Sequence, residues 1–460
     1  MTDRFSDTIV ALSTPPGLSG IGIVRLSGPN ARQIAASLFR PARPHKPVAD
    51  QPTYSLLYGH VMDGAAQVDE ALLGVMRAPH TYTTQDVVEI NCHGGLIPLR
   101  RTLELCLRAG ARLADPGEFT RRAFYFGRVD LAQAEAVADL IAARTDEAAQ
   151  AALAQLSGRL SARIADLRSG LVGLLAHLEA QLDFGEDDLA PLGAPELAER
   201  LAALAAEVAE LLRSSEQGKL LRQGVRVALV GRPNVGKSSL MNALLGEERV
   251  IVTPFPGTTR DTIEETVNIH GVPVVLVDTA GLREAGDAVE QAGVDRARRA
   301  LAEADLVVLL LDRSAPLQPD DRDLLGTLPA DRTVVVLNKC DLPPALPVGQ
   351  ASRLSSEAVE ISALTPAGLD RLRESIAERI GVTGQRGTGE VIVTSVRHQQ
   401  ALQGALEALE RARSGAERGA TEEYLAEDLR AALASLGEIT GATSREEIIN
   451  EIFEKFCVGK

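Results

Sequence analysis

The sequence predicts a multidomain architecture: an α+β N-terminal domain, an all-α helical domain, and an α/β P-loop domain inserted into the helical one. Three observations predict it. Short apolar runs alternate with Gly/Pro turns up to about residue 122. Leucine- and alanine-rich stripes of helical period stand on both sides of a central segment. Within that segment a strand-like run, a glycine-rich loop ending in Lys-Ser and a helix-like run follow in order. The expected limits are 1–122, 123–222, 223–380 and 381–460.

Composition bounds the class. The chain has 460 residues, 45% of them hydrophobic, and no apolar run long enough for a membrane span, so a soluble, cytoplasmic protein with several cores is expected. The first residues, Met1-Thr-Asp-Arg-Phe-Ser6, lack a basic-then-apolar leader pattern. Cys92, Cys106, Cys340 and Cys457 form no C-x-x-C pair, which reads as reduced thiols. The net charge of −15 argues against a general nucleic-acid binder; an RNA substrate must meet a local basic patch or a partner.

In the first domain, Ile21 to Leu26, Tyr54 to Val61 and Val87 to Ile90 read as strands, and Leu99 to Leu107 as a helix. Leu153, Leu156, Leu160, Ile164, Leu167, Leu171, Leu174 and Leu178 then form one apolar stripe, broken at Asp183 to Asp188. A second stripe runs through Leu197, Leu201, Leu204, Val208 and Leu211. After the central segment and a linker-like Gly384 to Gly389, Leu425, Leu429, Leu433 and Leu436 form another face. Ser444-Arg-Glu-Glu447 reads as a capping box opening a last helix with Ile448, Ile449, Ile452, Phe453 and Phe456. Neither helical half has a partner within itself, so the two halves are expected to pack together around the insertion.

The central segment carries the chemistry. Gly231-Arg-Pro-Asn-Val-Gly-Lys-Ser238 fits the phosphate loop, with Val225 to Val230 before it and Ser239 to Leu245 after. Backbone N–H groups from Asn234 to Ser239, Val235 and Gly236 included, would wrap the phosphates, Lys237 would reach the β/γ oxygens and Ser238 would ligate Mg²⁺. Asp278-Thr279-Ala280-Gly281 ends an apolar run, placing a carboxylate at a strand tip to hold Mg²⁺ through water, with the Gly281 N–H facing the γ-phosphate. Thr258 and Thr259 lie between, and Thr259 can close over Mg²⁺. In Asn338-Lys339-Cys340-Asp341 a carboxylate accepts from N1–H and the 2-amino group of guanine, hydrogens that adenine lacks. Ser362-Ala363-Leu364 would support the guanine O6 through backbone N–H. These five elements stand in the order and spacing of the Ras-like GTPases, so GTP is the expected ligand.

Beyond the central segment the chain closely resembles the tRNA-modification GTPase MnmE (TrmE) family, nearly end to end. The resemblance is carried by Thr14-Pro-Pro-Gly17 with Gly22-Ile-Val-Arg25, His93-Gly-Gly95, Pro116-Gly-Glu-Phe119 with Arg122-Ala-Phe124, Asp130-Leu-Ala-Gln-Ala-Glu135 and Phe456-Cys-Val-Gly-Lys460. It implies a homodimer formed through an N-terminal domain that binds a tetrahydrofolate derivative (5-formyl or methylene form). It implies a partner, the FAD- and NADH-using protein MnmG, in a heterotetramer or larger complex. The implied product is an aminomethyl or carboxymethylaminomethyl group at C5 of the wobble uridine of tRNA. It further implies K⁺-stimulated GTP hydrolysis on G-domain dimerisation.

Position by position, the resemblance assigns folate contacts to Arg25, Glu89, Arg128 and Lys460, with arginine at 128 where some members have lysine. Taken singly, each is an ordinary surface charge. Cys457 is placed near the folate pocket and tied to the modification as a catalytic residue, although a lone cysteine is more often a small buried hydrophobe. The glutamine that orients water in Ras-type enzymes is replaced here by Leu282, and Glu290 matches the family's water-positioning glutamate. Asn234 offers a side-chain oxygen to K⁺, with Thr253, Phe255 and Thr258 completing that site and Thr253 also at the nucleotide. Cys92, Cys106 and Cys340 read as structural; Arg121 and Arg122 lie where a tRNA or partner could touch, but two arginines are usually a solvated face and carry no assignment. The competing class is a ribosome-assembly or regulatory RNA-binding GTPase, which shares the loop but usually carries a basic RNA-binding module.

Overall fold

The computed structural model describes residues 5–43, 47–184, 193–248, 264–278, 301–345, 358–382 and 392–460. Contacts divide the chain into two units: residues 1–138, 161–168 and 434–460 in one, and 139–160 with 169–433 in the other.

The first unit is built on a mixed sheet in the order β3-β4-β5-β6-β2-β1-β7. Its strands are β1 (Ile9–Leu12), β2 (Ser19–Ser27), β3 (Phe39–Pro41), β4 (Ser55–Asp63), β5 (Ala66–Met76), β6 (Val87–Gly94) and β7 (Arg112–Leu113). Side chains alternate between faces along each strand. Val24, Leu26, Leu73, Val75, Val88 and Ile90 therefore turn into one core with helices α1 (Ala31–Leu38) and α2 (Leu96–Arg108). The alternate positions Arg25 and Glu89 stay half-buried on the opposite face, opposite each other in the β2–β6 register.

Helix α3 (Glu118–Tyr125) starts at Gly117, whose φ of 66° is left-handed. The unit also contains α4 (Leu131–Ala142) up to residue 138, and α13 (Glu446–Glu454). Leu131, Ile449, Phe453 and Phe456 form a further core there. The expected capping box does not form. The helix begins after Arg445 with no side-chain cap, because the Ser444 hydroxyl donates to the Glu438 carbonyl instead.

In the second unit, α5 (Asp146–Leu156) is capped by Thr145, whose hydroxyl oxygen accepts from Ala148 N–H. The leucine stripe expected to be continuous is two helices, α5 and α6 (Arg159–Phe184). Gly158, at φ 85°, ends the first one and leaves Leu153 exposed. Leu160, Ile164, Leu167, Leu171, Leu174 and Leu178 are buried as the period predicts. Helices α7 (Ala194–Gln223) and α11 (Val396–Glu417) pack against each other, so the two helical halves meet around the inserted segment.

The insertion is an α/β domain whose sheet has the order β13-β12-β11-β8-β10-β9. Its strands are β8 (Val225–Val230), β9 (Glu264–Ile269), β10 (Val272–Asp278), β11 (Leu306–Asp312), β12 (Thr333–Asn338) and β13 (Val359–Glu360). Among the described strands only β9 runs antiparallel. Both faces are apolar, as a covered parallel sheet requires. Helices α8 (Lys237–Glu248), α9 (Pro319–Thr327) and α10 (Leu369–Arg379) belong to it. Helix α12 (Glu422–Thr440) follows α11, with Leu425, Leu429 and Leu436 buried and Leu433 half-buried. Among the described residues no helix is long and apolar enough to cross a membrane.

Candidate functional site

A parallel sheet presents its ligand crevice at the carboxyl ends of the strands. The loop after β8, Asp278 closing β10, Asp312 closing β11, Asn338 closing β12 and Ser362 just past β13 all lie at that edge. The loop turns back on itself through positive φ at Gly231 (152°), Asn234 (64°) and Gly236 (103°). Gly236 has no substitute on steric grounds: a Cβ there would run into Asn338 Nδ2.

Lys237 is nearly buried, and its ammonium donates to the carbonyls of Gly231 (2.7 Å) and Arg232 (2.8 Å), which centres the charge over the loop. Ser238 Oγ donates to Asp278 Oδ2 at 3.0 Å, so hydroxyl and carboxylate stand side by side as a Mg²⁺ site needs. Both are partly accessible, which leaves them available to a hydrated cation.

Asn338 is buried and holds two loops: Nδ2 donates to Val235 O at 2.7 Å, and Oδ1 accepts from Ala363 N–H at 3.0 Å. Asp341 is exposed three residues past Asn338, and Leu364 is exposed next to Ala363, with its N–H donating to Ser362 Oγ at 3.3 Å. Lys339 sits in a left-handed conformation (φ 65°) and donates to Asp312 Oδ2 at 2.6 Å. Burial alone would raise the Asp312 carboxyl, but Lys339 and the Ser314 hydroxyl and N–H more than offset it and hold it below the usual range. Asp312 was missed by motif reading. Its signal was available: it ends an apolar run, Leu306 to Leu311, as Asp278 does. Thr253, Phe255, Thr258, Thr259, Thr279, Ala280, Gly281 and Glu290 lie outside the described residues.

In the first unit, three of the four predicted folate residues converge. Arg25 Nε and one terminal nitrogen each lie 2.8 Å from Glu89 Oε1. Its other nitrogen, Nη1, donates to Gly459 O at 3.2 Å, and its guanidinium lies 5.7 Å from the Phe119 ring centroid. Lys460 is held below the usual lysine range, by burial first and by Arg25 second, with Glu89 and Cys457 partly offsetting both. Cys457 is exposed. Arg128 stands apart from that cluster: it stacks on Tyr82, 4.9 Å from the ring centroid, and donates to the Tyr82 carbonyl at 3.1 Å. Tyr82 packs with Phe119 in a small core, so Arg128 borders the cluster through one aromatic layer.

Cys92 and Cys106 are buried as structural thiols, and burial pushes them up to about 11 and about 12. Arg122, which the sequence left unassigned, is not a surface charge. It is fully buried, donating to Asp7 Oδ1 (2.6 Å), Asp7 O (2.9 Å), Glu118 Oε1 (2.9 Å) and Gln85 Oε1 (2.9 Å).

Two family models match the chain: a TrmE N-terminus described as that of a GTP-binding protein, over residues 8–128, and an MnmE helical domain, over residues 131–457. Relatives named tRNA modification GTPase MnmE match along the whole length. That of Chloroflexus aurantiacus is 48% identical over 458 residues, covering 99% of this chain and 100% of its own. That of Heliobacterium modesticaldum is 47% identical over 468 residues, covering 99% of each. That of Thermoanaerobacter pseudethanolicus is 44% identical over 458 residues, again 99% of each.

Proposed function

The chain belongs to the MnmE (TrmE) family of tRNA modification GTPases, and from that premise we propose that it is the GTP-hydrolysing component of the system that modifies C5 of the wobble uridine. It works as a homodimer in the cytoplasm with an FAD- and NADH-using partner of the MnmG type, and draws its one-carbon unit from a tetrahydrofolate derivative. The product is an aminomethyl or carboxymethylaminomethyl uridine. The four sequence-derived domain limits belong to this proposal.

The observation that carries this reading is the meeting of the Cys457–Lys460 segment with Arg25 and Glu89. A folate needs a carboxylate for the N–H groups of its pterin and cations for its glutamate tail. Glu89 supplies the first, and Arg25, Lys460 and the neighbouring Arg128 supply the second. The folate would bring a transferable carbon; this chain's residues bind and orient it, with the exposed Cys457 thiol alongside.

In the G domain, Ser238 and Thr259 would ligate Mg²⁺ with Asp278 behind it, and the cation would draw charge from the phosphates. K⁺ would be held by Asn234, exposed in its left-handed turn, with Thr253, Phe255 and Thr258, supplying the positive charge an arginine finger gives elsewhere. Glu290 would position the attacking water, since the Leu282 side chain has no hydrogen-bonding group.

Reconstitution tests the proposal. The purified chain, its FAD-dependent partner, GTP, a reduced folate and unmodified tRNA are expected to yield the C5-modified uridine, and omission of the folate or Glu89→Gln to abolish it. Full product without folate contradicts the assignment.

A further inference from the structure

The segment 456–460 is anchored by the buried Phe456 ring and, beyond it, held through its own main chain. Gly117 N–H donates to Cys457 O at 3.4 Å and Phe119 N–H to Lys460 O at 3.2 Å. These donors belong to the first turn of α3, where backbone N–H groups have no partner within the helix. The segment thus takes the place of a side-chain cap for α3, which has none. Gly117 is the point of closest approach: a Cβ there would meet Phe453 O at 2.6 Å and Phe456 Cβ at 3.0 Å.

On its other side the segment lies against the end of β1. Gly459 O is held twice, by Arg25 Nη1 and by Ser13 Oγ, both at 3.2 Å. Gly459 is buried at φ 97°, and a Cβ there would run into the Leu12 carbonyl oxygen. Ser13 is fixed in turn by its N–H bond to Ile23 O at 2.8 Å, and Thr14 Oγ1 accepts from Ile23 N–H at 3.1 Å. Arg25 is shared between Glu89 and Gly459, whereas the Ser13 hydroxyl is directed to Gly459 O.

We propose that Ser13 is a positioning residue for Cys457: its hydroxyl, with the first-turn amides of α3, clamps the segment by its carbonyls and presents the thiol beside the Arg25–Glu89 pair. Arg25 can then engage a ligand without releasing the segment, because Ser13 retains Gly459 O. The functional half of this inference rests on the folate reading above; the clamp itself does not.

The test uses the full-length protein with Ser13→Ala, Ser13→Thr, Gly459→Ala and Cys457→Ser. Hydrogen exchange in peptides covering 117–120 and 456–460 is expected to speed up about fivefold in Ser13→Ala, the factor one lost hydrogen bond is worth. It should return to the parent rate in Ser13→Thr and rise further in Gly459→Ala. Wobble-uridine modification should fall with it while GTP turnover, which uses other residues, stays at the parent value. Unchanged exchange in both Ser13→Ala and Gly459→Ala overturns the clamp. Faster exchange with undiminished modification overturns the positioning role. Full modification by Cys457→Ser overturns the cysteine's part in the proposed function, leaving the exchange result to judge the clamp alone.

Discussion

Asn338 and Val235 stand 103 residues apart in sequence, yet the carboxamide of the first donates to the carbonyl of the second at 2.7 Å. The base-recognition loop and the phosphate loop are therefore one hydrogen-bonded object, with the Ala363 amide as its third member.

Asn338→Ala leaves Val235 O and Ala363 N–H without that partner, and the buried Val235 carbonyl left unsatisfied costs about 1–3 kcal/mol, the half-buried Ala363 amide less. The expected result is a lower melting temperature together with at least a tenfold loss of GDP affinity, read by thermal denaturation and fluorescent-GDP titration. Unchanged affinity would show that the two loops do not depend on this bridge.

Gly236→Ala places a methyl group against Asn338 Nδ2 at a φ of 103°, a conformation L residues rarely adopt. Nucleotide binding should fall by orders of magnitude, while circular dichroism retains the helical signal of the rest of the chain. The same titration checks it.

Acid sensitivity of the first unit should follow Asp7 and Glu118. Burial raises both carboxyls, but Arg112 and Arg122 outweigh it, joined at Glu118 by the Asp115 N–H, so both sit below their ordinary 3.8 and 4.5. A depressed value means stability that is complete above the unfolded value and lost as pH falls through the folded one. The stabilisation should be constant above pH 4.5 to 5 and decline below it. Arg122→Met removes one partner of a buried cluster, at a cost of about 3–5 kcal/mol. It should flatten that decline; a steep acid limb retained in the variant would assign it to other groups.

Asn234→Ala should lower K⁺ stimulation of GTP turnover while GDP binding stays nearly intact, because the side chain, not the loop backbone, is what the cation would use. Equal turnover of the parent protein in K⁺ and Na⁺ removes the premise.

The G domain was legible from sequence because its chemistry is local. A strand tip, a glycine turn and a Lys-Ser pair lie within a few residues of one another, and the burial of Leu229 and Leu240 on either side follows from the same pattern. Arg122 was not legible, since an arginine is an exposed charge by default and its burial depends on Asp7, 115 residues away. The break at Gly158 was not legible from the apolar period, because the leucine spacing continues across the glycine. Ser444 carried a capping pattern whose hydroxyl found a nearer carbonyl in Glu438. The clamp on residues 456–460 was not legible, because the groups it holds are main-chain carbonyls and its donors Ser13 and Arg25 lie more than four hundred residues away.

The most direct measurement is mass analysis of wobble-position nucleosides in tRNA from cells lacking this chain, complemented by the intact gene or by Cys457→Ser. The account predicts loss of C5-aminomethyl-type uridines in the deletion, restored by the intact gene and not by Cys457→Ser. An unchanged nucleoside profile accompanied by altered ribosomal subunits would contradict it and point to an assembly GTPase.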